Sequence, residues 1–214
     1  MSEAAHAGWT IVEQYVGPGG TPLDVSGAVH DLAEGVLERV ATTEHPQPLL
    51  GLVEMRHSNP DLLDDAGFVL VGDSIGDPGN AGTMVRSAEA AGADAVVLCG
   101  ESVDVFNPKV IRASAGAIFH IPVVTGIELA AVKACGLTIL ATSSHEGTSM
   151  YDTDMTGRTA LLMGNEAHGI REDSSVDAWV TIPQYGQSES LNVAMATTVL
   201  CFEIARQRRL LNRP

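Results

Sequence analysis

The chain is poor in basic charge and almost without lysine. Twelve Lys and Arg stand against 27 Asp and Glu, for a formal net charge of −15 over 214 residues. Only Lys109 and Lys133 are lysines. Phosphate neutralisation needs clustered cations, so a protein that coats nucleic acid by general electrostatics is excluded and any polyanion site has to be local. Two small basic islands fit that condition, Lys109 with Arg112 and the trio Arg206, Arg208 and Arg209. A solvated helix end is the commoner account of such arginines. Long apolar runs are also missing: Ala88 to Cys99 and Thr159 to Met163 stop well short of the roughly 20 residues that a spanning helix needs. A membrane protein is therefore not expected. The opening MSEAAHAGWT has neither a basic start nor an apolar run, which excludes a secretory signal and leaves the cytoplasm as the expected compartment. Cys99, Cys135 and Cys201 form no CxxC and no metal-ligand spacing, and all three read as reduced core residues.

What is present suits a soluble α/β protein. Hydrophobic residues make up 45% and charged residues 18%, enough to bury a substantial core. Residues 8 to 16 alternate like a strand, Val29 to Val40 has helical apolar spacing, and Pro48 to Met55 reads as a second strand. A polar stretch makes a domain boundary plausible near residues 57 to 66. Beyond it strand and helix alternate. Strands are expected at Phe68 to Val71, Ala95 to Leu98, Leu137 to Ala141, Ala160 to Met163 and Ala178 to Ile182. Helices are expected near Ala81 to Ala91, Pro108 to Ser114, Glu128 to Ala134 and Leu191 to Arg208. That order implies a mainly parallel sheet with helices on both faces, and such sheets bind ligands beyond the carboxyl ends of their strands.

Three segments could carry chemistry. In Asp73 to Leu98 a buried strand gives way to a Gly and Pro turn, with Asn80 as the expected helix cap and Arg86 six residues on; taken alone, a plain cap and a surface arginine are the commoner account of them. Gly79 and Gly82 do not make the dinucleotide pattern G-x-G-x-x-G. In Ala160 to Ile170 an apolar strand runs into Gly164, Asn165 and Glu166, although Glu166 could be an ordinary turn carboxylate, and His168 reads as a surface histidine. In Val180 to Arg209 a strand ends at Pro183 and Ser190, Leu191 and Asn192 open a long helix, whose start could hold a ligand or simply be capped by Ser190.

Taken together, DPGNAGTMVRSAEAAGA, LLMGNEAHGI and IPQYGQSESLNVAMATTVLCFEIAR resemble the three motifs of the SpoU (TrmH-like) branch of the SPOUT class of RNA methyltransferases. FNPKVIRASAGAIFHIPV resembles the family's stretch between the first two, so the resemblance covers residues 66 to 209. It implies a catalytic domain over residues 66–214 whose C-terminal part is tied into a trefoil knot that holds S-adenosylmethionine (SAM), and a homodimer with the helix after the third motif in its interface. Knots are otherwise almost absent from proteins. Residues 1–58, and VATTEHPQPLLGLVE in particular, look like part of the α/β RNA-recognition region that many members carry.

The implied reaction is attack of a ribose 2′-oxygen of ribosomal or transfer RNA on the SAM methyl group. By the resemblance, Arg86 matches the catalytic arginine, with Asn80, Glu166, Ser190 and Asn192 orienting it and the substrate. Backbone near Thr142, Gly164, Ile182 and Leu191 would hold the adenine, and Arg86, Lys109, Arg112 and Arg171 would meet the RNA. No metal is implied. A free guanidinium loses its proton only above about pH 12, so a phosphate clamp that favours the developing oxyanion suits Arg86 better than a literal base. A knotted SAM- or RNA-binding protein without turnover is the alternative, and a doubly wound nucleotide-binding protein is disfavoured by the missing glycine motif.

Overall fold

The computed structural model describes residues 1–41, 45–165, 169–170, 175–187 and 189–211. The chain forms two compact units, Met1–Arg56 and His57–Pro214. In the first, α1 (Ser2–His6), β1 (Ile11–Val16), β2 (Ala28–Asp31), α2 (Val36–Val40) and β3 (Leu49–Val53) build a three-stranded sheet of order β2-β1-β3. β2 runs parallel to β1, and β3 antiparallel to it. The helix expected from Val29 to Val40 is thus a strand followed by a single helical turn. The break is Gly35, which takes the left-handed conformation (φ 80°) just before α2 and interrupts any continuous helix. Buried Gln14 pins the loop after β1 by accepting the Leu23 N–H and donating to the Leu23 carbonyl.

The second unit begins with a 3-10 turn, Pro60–Asp64, and continues as β4 (Phe68–Asp73), α3 (Pro78–Ala90), β5 (Ala95–Cys99) and α4 (Pro108–Ala113). A short 3-10 turn at Ala117–Phe119, β6 (Val123–Thr125), α5 (Leu129–Ala134), β7 (Thr138–Thr142) and β8 (Thr148–Ser149) follow. β9 (Thr159–Met163), β10 (Ala178–Thr181) and α6 (Val193–Leu211) complete it. The sheet has the order β6-β5-β4-β9-β7-β10-β8, and every pairing in it is parallel. All of the strands expected in this unit form; β6 and β8, of three and two residues, are additional and too short to leave a periodic signal.

Successive side chains of a strand point to opposite faces, so a strand buried on both sides must be apolar throughout. β4 obeys this: Phe68 and Leu70 join one core with Met84 and Val85 of α3 and Leu200 and Ile204 of α6, whereas Val69 and Val71 join the other with Leu129 and Val132 of α5. Helices therefore cover both faces. Cys99 and Cys201 are core residues, and burial pushes the Cys201 thiol up to about 12. Cys135 is only half-buried, because it lies at the C-cap of α5 outside the Leu129/Val132 stripe. Among the described residues, no helix is long and apolar enough to cross a membrane.

The amino-terminal edge of this sheet consumes two arginines. Arg158 donates to the carbonyls of Leu63, Asp64 and Ala66, and Arg208 donates to those of Gly67 and Gly157 while lying over the Phe68 ring. Arg206 pairs with the buried Glu203 carboxylate, which its guanidinium holds below the usual carboxylate range. The expected island of Arg206, Arg208 and Arg209 is accordingly reduced to Arg209, since the other two are spent on internal partners.

Candidate functional site

Three loops leave the carboxyl ends of β7, β9 and β10, and they meet. Thr142 to His145, Met163 to Asn165 with Gly169 and Ile170, and Ile182, Gln184 and Glu189 to Asn192 line one cavity of about 450 Å³, floored by Val193, Ala196 and Leu200 of α6. That is the size and position of a small-molecule site in a parallel sheet. β10 is held beside β7 by Asp177, which accepts the Ile139 N–H at 2.8 Å and pairs with Lys133; the Lys133 ammonium and this N–H hold its carboxyl below the ordinary range.

The start of α3 is fixed differently from the sequence expectation. Its cap is Asp77, whose Oδ1 accepts the Asn80 N–H at 2.7 Å, with Pro78 in the first turn. Pro lacks an N–H and carries a helical φ, so it belongs at the first helical position, directly after a capping residue. Asn80 thus lies inside the helix, with its side-chain oxygen turned to another task. Asn192 Nδ2 donates to Asn80 Oδ1 at 3.1 Å. Asn192 also caps α6, its Oδ1 accepting the Ala194 N–H at 2.9 Å and the Met195 N–H at 3.3 Å. The cap of α6 is therefore Asn192 and not Ser190, and one side chain ties the amino-terminal ends of α3 and α6 together.

Thr142, Gly164, Ile182, Ser190, Leu191 and Asn192 all line the cavity, and Asn80 is joined to it through Asn192. Arg86 is exposed on α3 and does not line it. Six residues at 100° each place Arg86 about 120° around the helix from Asn80, so the two do not share a face. Gly82 sits against α4, where a Cβ would meet the Val110 carbonyl oxygen at 2.5 Å. Lys109 and Arg112 are exposed on α4. Glu166, His168 and Arg171 fall outside the described residues.

Several lining residues had no distinguishing signal in the sequence. His145 in the β7 loop, and Gln184 and Glu189 before α6, are types that any loop carries. Their only clue was adjacency to Thr142 and Ser190. The loop after β7 is ordered by Ser143, whose Oγ accepts the His145 and Glu146 N–H groups.

Comparison with known proteins is consistent over most of the chain. The SpoU rRNA Methylase family matches residues 67–202. The 23S rRNA (guanosine(2553)-2′-O)-methyltransferase RlmP of Bacillus subtilis is 37% identical over 178 residues, which are 81% of this chain and 71% of that enzyme. The 23S rRNA (guanosine-2′-O-)-methyltransferase RlmB of Escherichia coli is 33% identical, over 85% of this chain and 74% of that enzyme. Among solved structures, an AdoMet-bound rRNA methyltransferase from Sinorhizobium meliloti superposes with a TM-score of 0.84 at 30% identity, covering 96% of this chain and 83% of that one. The SpoU methyltransferase AviRb from Streptomyces viridochromogenes, in complex with AdoMet, gives 0.84 at 28% identity, covering 98% and 87%.

Proposed function

Because the chain belongs to the SpoU rRNA Methylase family, we propose that it is a SAM-dependent methyltransferase acting on a ribose 2′-hydroxyl of ribosomal or transfer RNA in the cytoplasm. The observation that carries this reading is the convergence of the β7, β9 and β10 loops on a single cavity. The cavity fits SAM by its chemistry. Main chain at Thr142, Gly164, Ile182 and Leu191, which line it, would hold an adenine, and Leu191, Val193 and Leu200 add apolar side chains to the lining. We assign the family's knot to the loop after Ala141 (residues 142–147), the Gly164, Asn165 and Glu166 loop, and the stretch from Ile182 to Asn192.

SAM supplies an activated methyl group on a sulfonium, so the protein's task is to place the 2′-oxygen in line and assist loss of its proton. We assign Arg86 to the RNA phosphate and the developing oxyanion, with Asn80, Glu166, Ser190 and Asn192 keeping the site in register. The Asn192–Asn80 bond supports this assignment, since it links the cavity to the helix that bears Arg86. Lys109, Arg112 and Arg171 complete the RNA contacts. The first unit carries eight acidic residues against Arg39 and Arg56; we take residues 1–58 as a partial RNA-recognition-like region that contributes shape rather than charge. The test is SAM titration followed by transfer of labelled methyl to total ribosomal and transfer RNA. SAM binding without RNA and label recovered on a ribose are expected. Binding with no transfer to either RNA would leave a cofactor-binding protein without turnover.

We also assign a homodimer. On α6, Met195, Val199 and Phe202 follow at spacings of four and three and stay 64%, 37% and 49% exposed, an apolar stripe opposite the buried Ala194, Thr197, Cys201 and Ile204. Apolar stripes of this kind mark interfaces. Sedimentation should show a dimer for the wild type and a monomer for Phe202→Glu, whose charge cannot be buried unpaired. A monomeric wild type would reject the assignment.

A further inference from the structure

Ser74, the first residue after β4, has a left-handed backbone with φ 57°. Residues with a Cβ avoid this region because the Cβ crowds the following carbonyl oxygen. Such a conformation persists where neighbours over-determine it, and it concentrates at functional sites. Here the neighbours are explicit. The Ser74 N–H donates to the Cys99 carbonyl at 3.1 Å, its hydroxyl donates to Asp73 Oδ1 at 2.9 Å, and the same oxygen accepts the Glu101 N–H at 3.3 Å.

The result is a carbonyl aimed across the sheet. Asn165 Nδ2 donates to the Ser74 carbonyl at 2.8 Å, over a sequence separation of 91 residues. Asn165 is also paired in both directions with Gly169, its N–H donating at 3.2 Å and its carbonyl accepting at 2.9 Å. Gly164, Asn165, Gly169 and Ile170 line the cavity, whereas Ser74 does not. Ser74 therefore reaches the cavity wall only through Asn165. An extended backbone at Ser74 would rotate that carbonyl away and remove the Asn165 hydrogen bond to the turn after β4.

We propose that Ser74 is a positioning residue for the cofactor: its left-handed backbone holds Asn165, and through it the wall formed by Gly164, Asn165, Gly169 and Ile170, in the shape that binds SAM. The inference rests on the SAM assignment above. It has a second consequence, because the same turn runs three residues on into Asp77, the cap of α3. The wall of the cofactor site and the start of the helix bearing Arg86 are then set by one stretch of backbone.

The role is tested by calorimetric SAM titration of wild type, Ser74→Gly, Ser74→Asn, Ser74→Val and Asn165→Ala, with thermal melting in parallel. Gly and Asn accept a positive φ, whereas a β-branched residue there is a true outlier. Ser74→Gly and Ser74→Asn should bind SAM within about threefold of wild type, and Ser74→Val and Asn165→Ala should weaken it about tenfold, as expected for one lost part-buried hydrogen bond. In methyl transfer by Asn165→Ala, which leaves the Ser74 turn in place, the loss should appear as a raised KM for SAM with kcat at saturation retained, which a loss of folded protein alone would not produce. If Ser74→Val does not fold, Asn165→Ala decides. Wild-type SAM affinity in Asn165→Ala, or equal damage from Ser74→Gly and Ser74→Val, overturns the positioning role. Absence of SAM binding by the wild type overturns the cofactor assignment itself.

Discussion

Arg86→Ala should lose methyl transfer by roughly 100-fold to 1000-fold while its SAM affinity stays unchanged. A single preorganised donor to a developing oxyanion contributes about 3 to 4 kcal/mol, and that contribution exists only as the charge forms. The structure adds the second half of the expectation. Arg86 is exposed on α3 and is not among the residues that line the cavity, so its removal leaves the cofactor's surroundings intact. Lysine at this position should restore little, because an ammonium cannot reproduce the planar fork of a guanidinium on a phosphate. The measurement is single-turnover transfer of labelled methyl to a responsive RNA, with SAM binding followed separately. Full activity in folded Arg86→Ala would remove this residue from the reaction, and a parallel loss of SAM affinity would show that it serves the cofactor instead.

Gly164→Val should abolish useful SAM binding, with a loss of about 100-fold or more, equivalent to about 2.7 kcal/mol. The family resemblance implies that backbone near Gly164 holds the adenine, so that added bulk would meet the cofactor. The structure gives a different reason: a Cβ there would lie 2.5 Å from the Gly169 carbonyl carbon and 2.5 Å from Ile170 Cγ1. Backbone cannot yield as a flexible side chain does, so the returning limb of the loop has to move, and Gly169 and Ile170 both line the cavity. The damage is to the shape of the wall. Gly164→Ala should show a smaller loss of the same kind, since it adds the same Cβ without branching. Near-normal SAM affinity in a folded Gly164→Val protein would mean that the loop can be displaced without consequence.

The second unit was legible because its central strands carry short continuous apolar runs, Phe68–Val71, Ala95–Cys99 and Ala160–Met163, in alternation with helical segments, as a sheet covered on both faces requires. α3 starts three residues before the expected Ala81, because Asp77 followed by Pro78 is a stronger cap signal than Asn80. α6 was placed correctly, but Ser190 and Asn192 are both good caps and composition cannot choose between them. Val29 to Val40 misled because its apolar spacing fits a helix while Gly35 forbids a continuous one. The basic trio at 206 to 209 read as a surface island, since nothing local shows that Arg208 finds carbonyls 51 and 141 residues away. The same limit applies to the cavity. His145, Gln184 and Glu189 acquire a role only from the order of the strands, which no periodicity encodes.

That order also bears on how the chain folds during synthesis. β4 and β7 never touch; each pairs with β9, which occupies the gap between them. Until Thr159–Met163 has left the ribosome, the sheet exists only as β4 with β5 and β6 on one side and a solitary β7 on the other, each with an unpaired edge. Parallel pairing across such separations pays its loop-closure entropy before any contact rewards it, and is slow for that reason. Nascent chains that stall before residue 163 hold apolar edges open to one another, which makes the late-arriving central strand the point at which this protein is most exposed to aggregation.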